Sequence, residues 1–202
     1  MSTTLEFYEN NAGELIARFE SAQLDSFHLA MQQFFMSGAR LIEIGCGSGR
    51  DAARALSAGF DVQALDGAQA LLQEAVKLHP ELKGRLCHVR LPSRLPFADE
   101  SFDGFFSVAC LMHFSQPEVL EILDELRRIL LPYGRGLVSL PARRGDVDNE
   151  GVDRYGRVFN VLRVGDWREI FYRSGFKSDQ GPEENDCHGR DISWITFFLE
   201  KL

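Results

Sequence analysis

The sequence predicts an α/β fold built on a mostly parallel sheet. From residue 40 onward, short apolar runs alternate with segments of helical periodicity, which is typical of parallel sheets. The run Phe102–Val108 is apolar enough for a strand that is buried on both faces. The last two predicted strands, near Phe176–Asp179 and Ser193–Glu200, are joined by a polar loop that permits antiparallel pairing. The length of 202 residues suits a single domain, 1–202.

The stretch Arg40–Arg54, RLIEIGCGSGRDAAR, is the centre of this prediction. A short apolar strand is followed by glycines at 45, 47 and 49 and then by a helical pattern. A glycine loop lets a ligand approach the backbone closely, and a helix N-terminus presents free N–H groups to a polar ligand group. The sequence therefore predicts a site for a nucleotide-like ligand at this loop.

Two acidic residues flank the glycine loop. Glu43 lies near the end of the first predicted strand, and Asp66 ends the second. In doubly wound sheets, an acid after the second strand can accept hydrogen bonds from both hydroxyls of a ribose. Asp66 is therefore the predicted ribose ligand, with a turn or a helix cap as its other interpretation. A carboxylate in an apolar strand needs partners, and for Glu43 these are the N–H groups of the loop or a bound cation.

Two further segments are predicted to surround the site. Residues 1–38 precede the first strand and are predicted to form a helical arm or lid. Residues 141–165 are polar and charged, and we expect a substrate-facing insertion there because long irregular loops are often functional. Between these segments, Ser115 and Glu118 predict a capping box for the helix before the fifth predicted strand, Gly136–Leu140.

Composition and charge narrow the expected partners. A formal charge of −8 and a pI near 5.2 argue against a broad basic surface for nucleic acid or an anionic membrane. The cysteines form no C-x-x-C pair, which fits neither a zinc site nor a disulfide framework. No apolar stretch is long enough to span a bilayer, and the N-terminus lacks a signal-peptide pattern. We expect a cytoplasmic protein with a small-molecule partner and no metal, whose oligomeric state the sequence does not indicate.

Four segments, in order, resemble the class I S-adenosylmethionine-dependent methyltransferases. Residues 43–49, EIGCGSG, are similar to the family's acid-x-Gly-x-Gly-x-Gly signature, and residues 65–66, LD, to its acid after strand two. Residues 95–114, LPFADESFDGFFSVACLMHF, and residues 126–139, LRRILLPYGRGLVS, resemble the segments that lead into strands four and five. The resemblance implies a Rossmann-like, seven-stranded sheet in the order 3-2-1-4-5-7-6, with strand seven antiparallel and helices on both faces. It also implies S-adenosylmethionine as the cofactor and S-adenosylhomocysteine as its product.

The resemblance further implies which residues surround the cofactor. By position these are Glu43, Gly45, Cys46, Gly47, Asp66, Gly67, Leu91, Pro92, Ser93, Ala109 and Cys110. The chain departs from the family at the adenine, where an acid and a residue that donates its N–H are common, because Leu91 and Pro92 stand there. Proline has no N–H to donate. We expect the adenine to be held by apolar packing together with Ser93.

The implied reaction is a direct displacement at the methyl group, in which the protein mainly aligns and desolvates the reactants. A general base is needed only if the nucleophile arrives protonated. His113, just beyond the fourth strand, is the candidate base, although a histidine there also fits a backbone-bonded loop residue. Tyr8 from the arm and Arg154 and Tyr155 from the insertion are the candidate substrate residues.

Two other functions stay open alongside a methyltransferase that acts on a small-molecule acceptor. An NAD(P)-dependent oxidoreductase also combines a glycine loop with an acid, but its G-x-G-x-x-G spacing requires glycine where this chain has Arg50. A non-catalytic methyltransferase-like module that binds a cofactor or partner is consistent with Leu91, Pro92 and the lack of a clear catalytic group.

Overall fold

A computed structural model describes residues 3–202 as one seven-stranded sheet flanked by helices. The strands are β1 (Arg40–Ile44), β2 (Asp61–Asp66), β3 (Leu86–His88), β4 (Phe102–Val108), β5 (Leu130–Arg144), β6 (Phe176–Asn185) and β7 (Ile192–Lys201). The helices are α1 (Thr3–Asn10), α2 (Ala12–Glu20), α3 (Asp25–Phe34), α4 (Arg50–Ser57), α5 (Gln69–Leu78), α6 (Gln116–Ile129) and α7 (Val164–Arg173). Within residues 3–202, no helix combines the length and the apolar character that crossing a membrane requires.

The strand order is β3-β2-β1-β4-β5-β7-β6. Strands β1 to β5 pair in parallel, whereas β7 is antiparallel to both β5 and β6. The fold predicted from the sequence is therefore confirmed, including its antiparallel seventh strand. The chain runs outward from β1 in one direction and from β4 in the other, so the carboxyl ends of these two strands flank a crevice where ligands of such sheets bind.

The core lies on both faces of the central strands. Phe102, Phe105 and Phe106 of β4 are fully buried, which explains why this segment is apolar almost without alternation. On one face, α6 covers the sheet with a stripe of buried residues, namely Val119, Ile122, Leu123, Leu126 and Ile129. The predicted capping box between Ser115 and Glu118 is present at its N-terminus. The central sheet therefore forms a rigid base for the loops at its carboxyl edge.

Strand β5 is longer than the predicted strand Gly136–Leu140. It begins directly after α6 and continues to Arg144, because antiparallel pairing with β7 extends to the pair Arg144 and Ile192. The short apolar run Gly136–Leu140 could not reveal this pairing, since its partners in β7, from Leu199 to Ile195, lie far along the chain. The irregular segment between β5 and α7 is consequently 145–163, which is shorter than the predicted insertion 141–165. That this segment faces a substrate stays a prediction.

Helices α1, α2 and α3 lie in the segment 1–38, for which an arm or lid is predicted, and the first two residues of this segment lie outside the described part of the chain. We call these three helices the arm. Nη1 of Arg50, at the start of α4, donates to the carbonyl oxygens of Phe19 and Ala22 in the arm. The hydroxyl oxygen of Thr4 accepts the N–H of Val158 at 2.9 Å. The arm thus contacts both the glycine loop region and the 145–163 segment at the carboxyl edge of the sheet.

Candidate functional site

A cavity of about 300 Å³ opens at the carboxyl edge of the sheet, beneath the arm. The glycine loop and the ends of β2 and β4 line one end of it, and residues of the 145–163 segment and of the β6–β7 connection line the other. The predicted site residues that line it are Tyr8, Glu43, Gly45, Cys46, Gly47, Asp66, Gly67, Leu91, Ala109, Cys110 and His113. The predicted residues Pro92, Ser93, Arg154 and Tyr155 are not among its lining residues.

The glycine loop is held against the ends of two strands. The N–H groups of Gly45 and Cys46 both donate to the carbonyl oxygen of Leu65 at 2.9 Å. Gly45 has a φ of +74°, and a Cβ at this position would collide with the side chain of Cys110 at the end of β4. Glycine is required here for both its conformation and its lack of a side chain. The loop backbone can therefore lie directly against a ligand in the crevice.

The carboxylate of Asp66 joins the glycine loop to the segment before α5. Its Oδ2 accepts the N–H of Gly47 at 2.9 Å, and its Oδ1 accepts the N–H of Ala68 at 2.8 Å. Burial raises the pKa of Asp66, while these backbone N–H groups oppose the rise. Each oxygen keeps lone-pair capacity for a further donor. Asp66 can therefore cap the segment before α5 and still bind a ribose, because it also lines the cavity.

Glu43 is a buried carboxyl of the site with one oxygen unpaired within the described residues. It is 1% exposed, and its Oε2 has no hydrogen-bond partner within residues 3–202. Burial, together with the negative charge of Asp51, raises the pKa of Glu43 well above its ordinary value. A buried carboxyl oxygen without a partner is costly. The position is suited to a cationic ligand group that would restore the ionised form.

The residues after β3 cross the end of β2 and close the cavity on that side. The N–H of Val89 donates to the carbonyl oxygen of Asp66 at 3.0 Å, and Val89, Arg90 and Leu91 all line the cavity. Ser93 is exposed and does not. The expectation that Ser93 helps to hold the adenine is therefore not supported by its position, because the chain turns away from the cavity after Leu91.

Two of the cysteines, Cys46 and Cys110, line the cavity. Burial raises the pKa of both thiols. A protonated thiol is a poor nucleophile and a poor metal ligand. No group of three His, Cys, Asp or Glu side chains in the described residues is arranged to hold a metal ion. These thiols consequently contribute apolar surface to the cavity.

His113 lies between the backbone and the arm. Its Nδ1 is 2.8 Å from the carbonyl oxygen of Val158, which can only accept, so Nδ1 carries the proton. Its Nε2 therefore accepts the hydroxyl of Tyr8 at 2.9 Å, and the same hydroxyl accepts a bond from Nη1 of Arg157 at 3.2 Å. Burial lowers the pKa of His113 to about 4. The imidazole is thus neutral at pH 7, with its basic nitrogen directed to the Tyr8 hydroxyl.

Sequence reasoning missed four arginines that line the cavity: Arg18, Arg144, Arg157 and Arg190. It selected Arg154, whose guanidinium instead lies 4.6 Å from the centre of the exposed Tyr155 ring. One signal could have found two of them, because residues 153–157 and 186–190 both have the pattern Asp-x-x-Gly-Arg. Arg18 and Arg144 carry no comparable local pattern.

Comparison with known proteins relates this chain to methyltransferases. The sequence model of the methyltransferase-domain family matches residues 41–134, which include the glycine loop, Asp66 and β4. The N1-methyltransferase of 1,6-didemethyltoxoflavin from Burkholderia thailandensis, solved with S-adenosylhomocysteine, has the same fold, with a TM-score of 0.81 and 17% identity over 98% of this chain and 87% of that chain. Residues 41–134 thus match a methyltransferase domain, and the described chain has the fold of a solved methyltransferase. The resemblance seen in the sequence is therefore confirmed.

The chain covers only part of the length of the curated relatives that it matches. The chain is 33% identical over 132 residues to the biotin biosynthesis bifunctional protein BioHC of Cellvibrio japonicus, which covers 65% of this chain and 24% of that protein. It is 24% identical over 173 residues to the O-methyltransferase resE of Aspergillus sclerotiorum, covering 82% of this chain and 63% of that protein. The chain thus spans about a quarter of the first relative and less than two thirds of the second.

Proposed function

We propose that this chain transfers the methyl group of S-adenosylmethionine to a small-molecule acceptor. The observation that carries the proposal is the pairing of a glycine loop with two carboxylates, Glu43 and Asp66, in one cavity. The match of residues 41–134 to a methyltransferase domain supports it, as does the similarity to an O-methyltransferase. The fold is also shared with a methyltransferase that was solved with S-adenosylhomocysteine.

The residues of the cavity fit the parts of this cofactor. The unpartnered Oε2 of Glu43 suits the ammonium of the methionine end, directly or through water. Asp66 keeps acceptor capacity for the ribose hydroxyls, and Val89 and Leu91 provide apolar surface for the adenine. When bound, S-adenosylmethionine supplies a methyl group that its sulfonium already activates. The protein's contribution is then to orient the acceptor and to exclude water.

The base for a protonated acceptor is His113, acting through Tyr8. Neutral Nε2 of His113 accepts the hydrogen bond of the Tyr8 hydroxyl, so this hydroxyl can pass its proton to His113 while its oxygen takes a proton from the acceptor. The donor bond from Arg157 stabilises negative charge that develops on the Tyr8 oxygen. This proton relay gives a role to both His113 and Tyr8, which line the same cavity.

The arm and the 145–163 segment act together as a lid. They contact each other through the Thr4–Val158 bond and through the rings of Phe7 and Tyr155, whose centres are 5.3 Å apart. Opening these contacts would admit both ligands, and closing them would remove water from the reacting groups. Tyr155 and its neighbour Arg154 thus serve the lid rather than the acceptor itself.

Methyl transfer from labelled S-adenosylmethionine into a metabolite extract tests the proposal. We expect label in a small-molecule product with the wild-type protein and strongly reduced transfer with Asp66→Ala. Binding of S-adenosylhomocysteine without transfer to any component would favour a non-catalytic module. Binding of NAD in place of S-adenosylhomocysteine would favour an oxidoreductase.

A further inference from the structure

Several arginines line the cavity, although the whole chain has a formal charge of −8. Four of them, Arg18, Arg144, Arg157 and Arg190, come from α2, β5, the 145–163 segment and the β6–β7 connection. The lining also includes the carboxylates of Asp186 and of the exposed Glu184. Segments so distant in sequence converge here only in the folded protein.

Two of these arginines are fixed by the same local structure. In the first, Asp153 accepts the backbone N–H groups of Tyr155 and Arg157 at 2.9 and 3.0 Å, and Nη2 of Arg157 at 2.6 Å. Gly156 between them has a φ of +78°. The guanidinium is therefore held in place by its own turn, and its Nη1 extends to the hydroxyl of Tyr8.

The second turn repeats this arrangement in the β6–β7 connection. Asp186 accepts the backbone N–H groups of His188 and Arg190 at 3.0 and 3.3 Å, and Nη2 of Arg190 at 2.6 Å. Gly189 has a φ of +69°. The indole N–H of Trp194 donates to the same carboxylate at 3.0 Å. Both arginines are thus positioned before any ligand binds, which lowers the entropic cost of binding.

Arg144 is a third fixed cation. Its Nε and Nη2 bind the carboxylate of Asp146 at 2.9 and 2.7 Å, and its guanidinium lies 3.7 Å from the centre of the Phe159 ring. Asp146 and Asp153 pair with Arg144 and Arg157 but do not themselves line the cavity.

Arg18 differs from the other three. Within residues 3–202, no carboxylate forms an ion pair with its guanidinium and no acceptor forms a hydrogen bond with it, and its side chain is half-buried. Burial and the positive charges of Arg157 and Arg190 lower the pKa of Arg18. The guanidinium of Arg18 is therefore close enough to Arg157 and Arg190 to be affected by the charge of each, and within the described residues it lacks a counter-charge. An anion bound there would offset both the burial of the Arg18 charge and its repulsion by the neighbouring guanidiniums.

We propose that Arg18, Arg157 and Arg190 form a binding site for a carboxylate on the methyl acceptor. The planar guanidinium fork matches a carboxylate in two parallel bonds, and Phe159 and Trp194 line the cavity beside it as surface for a flat apolar body. Arg157 and Arg190 lie on the side of β5, β7 and β6, whereas the glycine loop lies over β1, which favours the acceptor over the cofactor as the source of the anion. The proposal rests on the function proposed above.

A matched pair of probes tests the site directly. Salicylate carries a carboxylate on an aromatic ring with a hydroxyl, and salicylamide has the same shape without the charge. Calorimetric or ligand-observed NMR titration of the protein saturated with S-adenosylhomocysteine should give at least tenfold tighter binding of salicylate, as expected for a charge-assisted pair. Arg18→Gln should remove this preference. Arg173→Gln, an exposed arginine of α7 outside the cavity, should keep it.

The remaining outcomes distinguish an acceptor carboxylate from the carboxylate of the cofactor. They also distinguish failure of the arginine site from failure of the methyltransferase function. Equal affinities for both probes, binding of neither, or an unchanged preference in Arg18→Gln would overturn the carboxylate site. Loss of S-adenosylhomocysteine affinity in Arg18→Gln with unchanged salicylate binding would assign Arg18 to the cofactor's carboxylate and also overturn it. Failure of the wild-type protein to bind S-adenosylhomocysteine would contradict the methyltransferase function, while the salicylate preference of the ligand-free protein would still test the arginines.

Discussion

The hydroxyl of Tyr8 in α1 lies 2.9 Å from Nε2 of His113, just beyond β4. This bond joins the N-terminal arm to the edge of the sheet where a methyl acceptor would bind. Nδ1 of His113 is bonded to the carbonyl oxygen of Val158, so Nε2 is the basic nitrogen. The Tyr8 hydroxyl occupies this nitrogen. The two residues are therefore expected to act as one unit.

Removing either member of this unit should lower turnover. We expect Tyr8→Phe and His113→Ala each to reduce kcat for a protonated acceptor by a factor on the order of 10², the lower range of general-base catalysis. Steady-state kinetics with a saturating cofactor measure this, and KM for S-adenosylmethionine should change little. The exposed Tyr172→Phe is the control. An intact maximal rate in His113→Ala would exclude it as a base.

The lowered pKa of His113 also predicts how stability depends on pH. An ordinary histidine titrates near 6.5, whereas the folded protein holds His113 neutral down to about pH 4. Between these values the unfolded chain binds the proton, so the free energy of unfolding should decrease as the pH falls from 6.5 towards 4. Urea unfolding at pH 7.5 and 5.0 should show a loss on the order of 1 kcal/mol that His113→Gln removes. The same loss in His113→Gln would show that another group is responsible.

Asp66 should determine affinity for the cofactor. Asp66→Ala removes the predicted bonds to the ribose and also the two bonds that hold Gly47 and Ala68. We expect S-adenosylhomocysteine to bind more than tenfold more weakly, because charge-assisted bonds contribute about 1.5–3 kcal/mol each. Asp179→Ala changes an exposed carboxylate of β6 and serves as the control. Unchanged affinity in Asp66→Ala would place the ribose elsewhere.

Two glycines provide a matched test of the loop geometry. Gly45→Ala forces a side chain into a left-handed conformation and against Cys110. We expect it to lower the free energy of unfolding by about 1–3 kcal/mol and to weaken cofactor binding. Gly165→Ala in the first turn of α7 meets no atom within 4 Å, so it should be neutral or stabilising by up to about 1 kcal/mol. Thermal unfolding measures both variants. Equal losses of stability in Gly45→Ala and Gly165→Ala would contradict the requirement for glycine at position 45.

The cofactor end of the cavity was predictable because its requirements are local. A loop that needs left-handed backbone and close approach shows its glycines in the sequence, and a ribose ligand at a strand end appears as a single acid such as Asp66. The buried aromatic run of β4 was equally visible. The fold, the glycine loop and the place of Asp66 in the cavity therefore followed from short stretches of sequence.

The cluster of arginines was not predictable in the same way, because its residues are brought together only by the tertiary fold. Arg18 lies on a helix where a charged residue would ordinarily be solvated, and nothing nearby in sequence shows that it faces Arg157 and Arg190. Antiparallel pairing extended β5 past Pro141 and so brought Arg144 to the cavity. The Asp-x-x-Gly-Arg repeat was the one local signal, and it becomes meaningful once both turns are seen at one cavity.

Calorimetric titration of the wild-type protein with S-adenosylhomocysteine, beside NAD, tests the central proposal most directly. The glycine loop, Glu43 and Asp66 predict one-to-one binding of S-adenosylhomocysteine with micromolar affinity and much weaker binding of NAD. Micromolar binding of NAD without detectable binding of S-adenosylhomocysteine would contradict the proposed methyltransferase function.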